Sequence, residues 1–483
     1  MSYVLGIDIG TGSIKGLLLN SKDGSIDNYS SPYKTFHPKK GFSEQNPNDW
    51  INGLKNIFEY YSNKLNDFNS ELEAISFSGQ MHTLVLLDKF DNILRPAILW
   101  NDVRTTEETI LLNSINNVKK ITLNKAVEGF TLPKILWIQN NEPEIWEKVD
   151  KILLPKDFMI YYLTKKFVTE PSDAAGTLMM DIDSKQWSSE LLNEFNIGKD
   201  KLPNIISSLS FAGFLNKEFK VLFHFSKNIK IYMGGADNAC SALGIGIKNE
   251  SQSMLSIGTS GVLLSVANID NSNNEDVHIF NHVIPDTYYK MGVTLSAGAS
   301  LNWFKNIAFH NEKYDEIFQK LEKYKYNNSI VFAPYLNGER MPHADSDVRG
   351  AFLELDINST RYDLLIAVLE GIIFSIKDAF NINNIRKIEN VISVGGGAKN
   401  EFWLQMQADI FEKPIIKLQN EEGAALGALI IAAIGAGIYD SFEESFEKLI
   451  KVEKIFYPNE NRRKYYREKF IAYKKVYSKI RIK

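Results

Sequence analysis

The chain of 483 residues has one cysteine, Cys240, which excludes an internal disulfide and a thiolate metal cage and agrees with a reducing, cytoplasmic setting. It has little excess of either charge: 55 Lys plus Arg against 59 Asp plus Glu leave a formal −4. Such a balance gives no long-range attraction to nucleic acid or to an anionic membrane, so neither is an expected partner. A bound phosphate must then be met locally by backbone amides or a few cations. The longest apolar run, Gly423 to Tyr439, is rich in Gly and Ala and shorter than the roughly 20 residues that a membrane span needs. It is expected to form a tightly packed core helix. Met1 to Ile9 has no basic stretch ahead of an apolar run, so a secretory signal is not expected. With 44% hydrophobic residues, the length suffices for two or three folded domains.

The informative pattern is internal. Val4 to Ile9 reads as a strand, followed by Gly10-Thr11-Gly12-Ser13 and a second apolar run, Ile14 to Leu19. Half a chain later, Met254 to Ile257 is followed by Gly258-Thr259-Ser260-Gly261 and Val262 to Val266. Two strand, turn, strand units at this separation predict two related α/β halves. Around them, Glu73 to Ser78, Ile152 to Pro155, Ser329 to Pro334 and Asn390 to Val394 read as strands. Asn48 to Leu65, Arg361 to Phe380 and Glu401 to Phe411 read as helices. The break is expected between Ala239 and Ser253, giving domains 1–247 and 248–483. Aromatic residues spaced through the basic end, Asn459 to Lys483, predict a helix docked on its own domain.

Glycine turns placed after strands expose backbone N–H groups that cradle phosphate without positive charge. They occur at Gly10 to Gly12, Gly234 to Gly235, Gly258 to Gly261, Gly298 and Gly395 to Gly397. No glycine is followed by Lys and then Ser or Thr, which excludes a P-loop. The first turn carries Gly10, Gly12 and Gly16 and leads into a strand, so it fails as a dinucleotide fingerprint. Asp8, just before that turn, is placed to hold a hydrated Mg²⁺, with Lys15 across the hairpin as a neutralising cation. His278 and His282 share a helical-turn spacing, but no third ligand joins them and both read as structural.

The segment Asp8-Ile9-Gly10-Thr11-Gly12-Ser13-Ile14-Lys15 resembles the first phosphate motif of the FGGY carbohydrate kinases. Similar segments follow in the family's order: Gly79-Gln80-Met81-His82, Leu99-Trp100-Asn101-Asp102, Leu154-Pro155-Lys156-Asp157, Ser172-Asp173-Ala174-Ala175-Gly176-Thr177, Gly234-Gly235-Ala236-Asp237-Asn238, Ser256 to Gly261, Pro334 to Arg340 and Gly395 to Ala398. The resemblance implies two actin-like, ribonuclease-H-like ATPase domains facing an interdomain cleft, and a homodimer. It also implies ATP-dependent phosphorylation of a sugar's terminal hydroxyl, the nearest subclass pattern pointing to D-xylulose and its 5-hydroxyl.

The resemblance makes Asp237 the catalytic base, an assignment that competes with a helix-capping role. It makes Met81, His82 and Asn238 sugar contacts and Trp100 an apolar platform, with Asn101, Asp102 and Asp173 lining or bracing the same region. For ATP it points to Thr11, Gly12, Ser13 and Lys15 at the phosphates and Gly258 and Thr259 in a second phosphate loop. Gly298 and Asn302 fall in the nucleotide region, and Gly396, Gly397, Ala398 and Asn400 around the adenosine. Two positions depart from the family pattern: Ser13 follows Gly12 where relatives place a hydroxyl residue first, and Val103 stands where a smaller or polar residue is usual.

Overall fold

A computed structural model of the protein describes residues 2–268, 277–324, 329–380, 382–420 and 422–481, the side chains of 382–384 excepted. The chain forms two compact units. The first is Met1–Gly246 with Ile279–Tyr288 and Glu422–Ile450; the second is Ile247–His278, Tyr289–Glu421 and Lys451–Lys483. The units are therefore not the two uninterrupted lengths 1–247 and 248–483, because two later segments pack with the first unit.

In the first unit a six-stranded sheet runs, edge to edge, through Phe211–Phe214, Lys230–Ala236, Leu72–Gly79, Tyr3–Ile9, Ser13–Asn20 and Ile26–Pro32. Tyr3–Ile9 pairs antiparallel with Ser13–Asn20 and parallel with Leu72–Gly79, which in turn pairs parallel with Lys230–Ala236. Val4, Leu5, Ile7 and Ile9 are all fully buried, as a central strand covered on both faces requires. One cover is the helix Pro47–Lys64, with Pro at its first turn and the Asn46 side chain accepting from Asn48 N–H. It buries Trp50, Ile51, Leu54, Ile57, Phe58 and Tyr61, a helical stripe.

The other cover is the helix Gly423–Gly435, the Gly- and Ala-rich run of the sequence. Small residues let it approach backbone to backbone. A Cβ on Gly6 would stand 2.3 Å from the Ala425 carbonyl oxygen, and one on Gly427 would stand 2.0 Å from the Cys240 carbonyl oxygen. The second contact joins this helix to Asp237–Gly244.

The second unit repeats the topology. Six consecutive strands of a seven-stranded sheet are, in spatial order, Tyr288–Thr294, Gly261–Ala267, Gln252–Ile257, Asn390–Gly395, Ile415–Leu418 and Val452–Phe456. Again a hairpin's first strand pairs parallel with an interior strand, which pairs parallel with the next before an antiparallel edge. The two halves expected from the Gly-Thr repeat thus share one α/β plan. Arg361–Ala379 and Glu401–Phe411 are helices, and the basic end forms Glu460–Lys474, whose Tyr466 and Tyr473 join the second unit's own core. Ile152 to Pro155 departs from expectation: the strand is only Lys151–Leu153, because Pro155 occupies the first turn of the helix Pro155–Thr164.

Among the described residues no helix is long and apolar enough to cross a membrane. The glycine contact yields a prediction. Gly427→Ala forces a methyl onto a backbone carbonyl and is expected to lower unfolding free energy by about 1–3 kcal/mol, read from the urea midpoint; an unchanged midpoint would contradict the packing described.

Candidate active site

The hairpin places Asp8 directly opposite Lys15. Its turn is fixed from within: Gly10 N–H donates to the Ser13 carbonyl at 3.1 Å and Tyr33 N–H to the Gly12 carbonyl at 3.2 Å, while the Tyr33 hydroxyl donates to the Gly10 carbonyl. A Cβ on Gly12 would meet nothing within 4 Å, so the outer side of the turn is open. Lys15 is ion-paired with Glu422 at 2.5 Å, so its charge is partly met by the protein. Thr11, expected at the ATP phosphates, and Trp100, expected beside the sugar, are joined: the indole N–H donates to the Thr11 hydroxyl at 2.9 Å.

Gln45, which carried no sequence signal, ties this hairpin to the Gly79-Gln80-Met81-His82 segment. Its amide nitrogen donates to the Thr11 carbonyl at 2.6 Å, and its Oε1 accepts from Gln80 at 3.0 Å and from Trp50 at 3.1 Å.

Asp237 reaches the same end of the sheet from the strand Lys230–Ala236, whose register shifts between Tyr232 and Gly235. Gly234 has φ +71° and a Cβ there would lie 1.8 Å from the Phe77 carbonyl oxygen, so glycine is required. Asp237 is the first residue of the helix Asp237–Gly244, and its Oδ1 accepts from Asn238 N–H at 2.6 Å and from the Asn238 side-chain amide at 2.9 Å. The backbone N–H of Met81 lies close enough to this carboxylate to lower its proton affinity. Asn238 Nδ2 further contacts Met81 Sδ at 3.6 Å. Asp237, Asn238 and Met81 therefore form one cluster.

His82 is 8% exposed, not a solvated loop residue. Its Nδ1 donates to the Gly176 carbonyl at 2.7 Å, and its ring packs on Phe130 at 4.4 Å. That donor assignment leaves Nε2 as the acceptor in the neutral ring. Of the neighbouring acids, Asp102 is a brace, bound by Arg104 and by Ser43 N–H at 2.6 Å, and Asp173 lies buried 3.4 Å from Lys156 Nζ. Asn101 and Val103 are exposed.

Electrostatics set the two central carboxyls apart. Burial, and then the neighbouring Asp8, push Asp237 up to about 7 against the lowering effect of its donors. Burial pushes Asp8 up to about 6 although Lys15 opposes it. A carboxyl near neutrality is suited to accept a proton and release it. His278 and His282 are driven down to about 3 by burial and stay neutral, in line with structural roles.

Among the described residues no group of three or more His, Cys, Asp or Glu is arranged to hold a metal. Asp8 does fit a hydrated Mg²⁺, which keeps several waters and takes one or two carboxylates beside phosphate oxygens. Its Oδ1 is closed off from solvent and has no hydrogen-bond donor among the described residues.

The second unit holds a cavity of about 630 Å³. Gly258, Thr259, Gly298, Asn302, Gly396 and Asn400, all singled out in the sequence, line it. Gly298 N–H donates to the Gly258 carbonyl at 2.8 Å, and a Cβ on Gly298 would strike that oxygen at 2.4 Å. Asn400 caps the helix Glu401–Phe411, accepting from Trp403 N–H. Gly397 and Ala398 do not line the cavity; both are buried, Gly397 against the Ile257 side chain, and they form the backing of its wall. Sequence reasoning missed Trp303, Tyr314, Asp315, Phe318 and Trp403, which the cavity also exposes. The aromatic ones signalled themselves only by their spacing on helices, which reads equally well as core, and Asp315 carried no signal.

The chain matches the N-terminal domain of the FGGY family of carbohydrate kinases over residues 3–244 and the C-terminal domain over 253–436. A xylulose kinase of Staphylococcus xylosus is 43% identical, with 99% of this chain and 100% of the relative covered. A crystal structure described as a xyloylose kinase from Brucella ovis superposes with a TM-score of 0.92 at 33% identity, over 99% of each chain. A gluconate kinase structure from Lactobacillus acidophilus reaches 0.91 at 25% identity, over 99% of this chain and 98% of that one.

The raised Asp237 carboxyl has a stability consequence. Between about pH 4 and 7 the native state keeps a proton that the unfolded chain has released, so this group's contribution to stability falls as pH rises through that window. Asp237→Asn is expected to match the parent at pH 4 and to exceed it at pH 8, by about 2–4 kcal/mol, in urea unfolding. A variant less stable than the parent at pH 8 would refute the electrostatic picture.

Proposed function

Because this chain belongs to the FGGY family of carbohydrate kinases, we propose that it transfers the γ-phosphoryl group of ATP to the 5-hydroxyl of D-xylulose, giving D-xylulose 5-phosphate and ADP. The full-length likeness to xylulose kinases carries this reading. A cytoplasmic setting belongs to it, with the lone thiol of Cys240 buried.

Phosphoryl transfer asks for in-line placement of the hydroxyl, charge neutralisation and a group to take the hydroxyl proton. In this reading Asp237 takes the proton. Its carboxylate is held by the backbone N–H and side-chain amide of Asn238, which fix its rotamer before substrate arrives. Met81, His82 and Asn238 orient the sugar, and His82 Nε2 offers an acceptor to a sugar hydroxyl. Trp100 acts at the junction with the phosphate hairpin through Thr11 rather than as a bare platform. The open amide side of Gly12 and Ser13 receives phosphate, and Lys15, shared with Glu422, adds part of a positive charge. Mg²⁺, held through water by Asp8, would neutralise charge on phosphate oxygens. The second unit's cavity, with its apolar and aromatic walls, suits a purine nucleoside.

The test is a coupled ADP-release assay with ATP and Mg²⁺ across a sugar panel. D-Xylulose is expected to lead, with glycerol and gluconate poor. Another leading sugar would overturn the substrate assignment, and no sugar-dependent ADP release would favour a non-enzymatic nucleotide-binding role.

Asp237→Asn is expected to lower kcat by about 10²- to 10⁴-fold with sugar KM changed only a few-fold. Since the base must be ionised, parental kcat/KM should rise with pH through about 7 and level off above it. Near-normal turnover in the variant would remove Asp237 from the base role.

A further inference from the structure

We propose that Lys134 is a positioning residue for the sugar site, its buried side chain fixing the Met81–His82 turn against the segment that adjoins Trp100. The inference rests on the reading of Met81, His82 and Trp100 as sugar contacts.

Lys134 lies on the helix Thr131–Asn141 and is fully buried. Among the described residues its Nζ pairs with no carboxylate; it donates to two backbone carbonyls, His82 at 3.0 Å and Gly129 at 2.8 Å. The acid whose charge it feels, Asp102, is already bound by Arg104 and Ser43. Burying a lysine side chain away from water without a paired carboxylate opposes folding, and burial drives the proton affinity of the Lys134 amine well below the usual lysine range. Packing alone does not call for it, since the same helix buries Leu132, Ile135, Leu136 and Ile138.

The two carbonyls explain what it does. His82 has φ +65°, a left-handed conformation that a non-glycine residue keeps only when its surroundings hold it. Lys134 and the Thr131 hydroxyl both donate to its carbonyl, while its ring is held by the Gly176 carbonyl. The same turn sets the backbone N–H of the preceding residue, Met81, close enough to Asp237 to favour its ionised form. Gly129, at the other end of the Lys134 link, approaches Trp100 so closely that a Cβ would lie 2.1 Å from the Trp100 carbonyl oxygen. One side chain therefore couples the Met81–His82 turn to the segment beside Trp100, two stretches of proposed sugar contacts that are separated in sequence.

The test compares full-chain Lys134→Met, Thr131→Val and His82→Ala by steady-state kinetics, with D-xylulose and ATP varied in turn. Lys134→Met is expected to raise the KM for D-xylulose about tenfold or more while the KM for ATP stays within about twofold; Thr131→Val, which removes the second donor to the His82 carbonyl, should shift the sugar KM the same way by about threefold. Where Lys134→Met does not fold, Thr131→Val decides by the same split. An unchanged sugar KM, or equal rises in both KM values, overturns the inference. If His82→Ala leaves the sugar KM unchanged, the reading of the sugar site fails and the inference falls with it. A raised sugar KM in His82→Ala beside a normal one in Lys134→Met refutes the positioning role alone.

Discussion

The close approach of the helix Gly423–Gly435 to the first sheet is the constraint on which the site depends. At Gly6 it lies against the strand that ends in Asp8, and at Gly427 against the helix that begins with Asp237. Side chains of ordinary size at these positions would hold the elements apart by several ångströms. The glycines let one rigid body carry both carboxyls at one end of the sheet, near enough for Asp8 to raise the proton affinity of Asp237. The preceding residue, Glu422, ion-pairs with Lys15, so the same segment moderates the cation that the hairpin itself carries.

A site assembled this way opposes folding at several points. Two carboxyls are desolvated, His82 sits in a left-handed conformation, and Lys134 is buried with no carboxylate partner among the described residues. The surrounding structure offsets this with rigid packing: the first unit's core contains Trp50, Tyr61, Phe58, Phe68 and Phe77, all fully buried. Strain confined to a few residues beside a dense core is the usual distribution for sites whose geometry must be set in advance.

Much of this was legible in the residues. The glycine-turn hairpins announced two halves of one plan because an apolar strand that feeds a tight turn needs glycine at the turn wherever it occurs, and Glu401–Phe411 was legible as a helix from its residues, while the cap that Asn400 provides was not. What escaped was non-local. That Ile279–Tyr288 and Glu422–Ile450 belong with the first unit is a matter of packing across hundreds of residues, and no periodicity encodes it. Gln45 and Lys134 act through single polar bonds to distant backbone atoms, and each sits in a stretch whose local pattern is that of an ordinary element. Gly397 and Ala398 were grouped with the cavity because they share a glycine run with Gly396, yet a turn exposes only some of its members, and these two face Ile257 and the core.

The near-neutral charge of the chain bears on how a polyanion is held. A basic surface would attract phosphate from a distance but would also attract every other polyanion. Here the open side of the Gly12 turn and the Gly258 and Gly298 backbone offer dipoles that act only at contact, and Lys15 is already half-answered by Glu422. Positive charge near the proposed base would also lower the very carboxyl that must accept a proton. The main influences that lower the Asp237 carboxyl are the Asn238 donors and the nearby Met81 N–H rather than a lysine or arginine, so a phosphate held chiefly by backbone dipoles and a carboxyl that stays near neutrality are two aspects of one electrostatic arrangement.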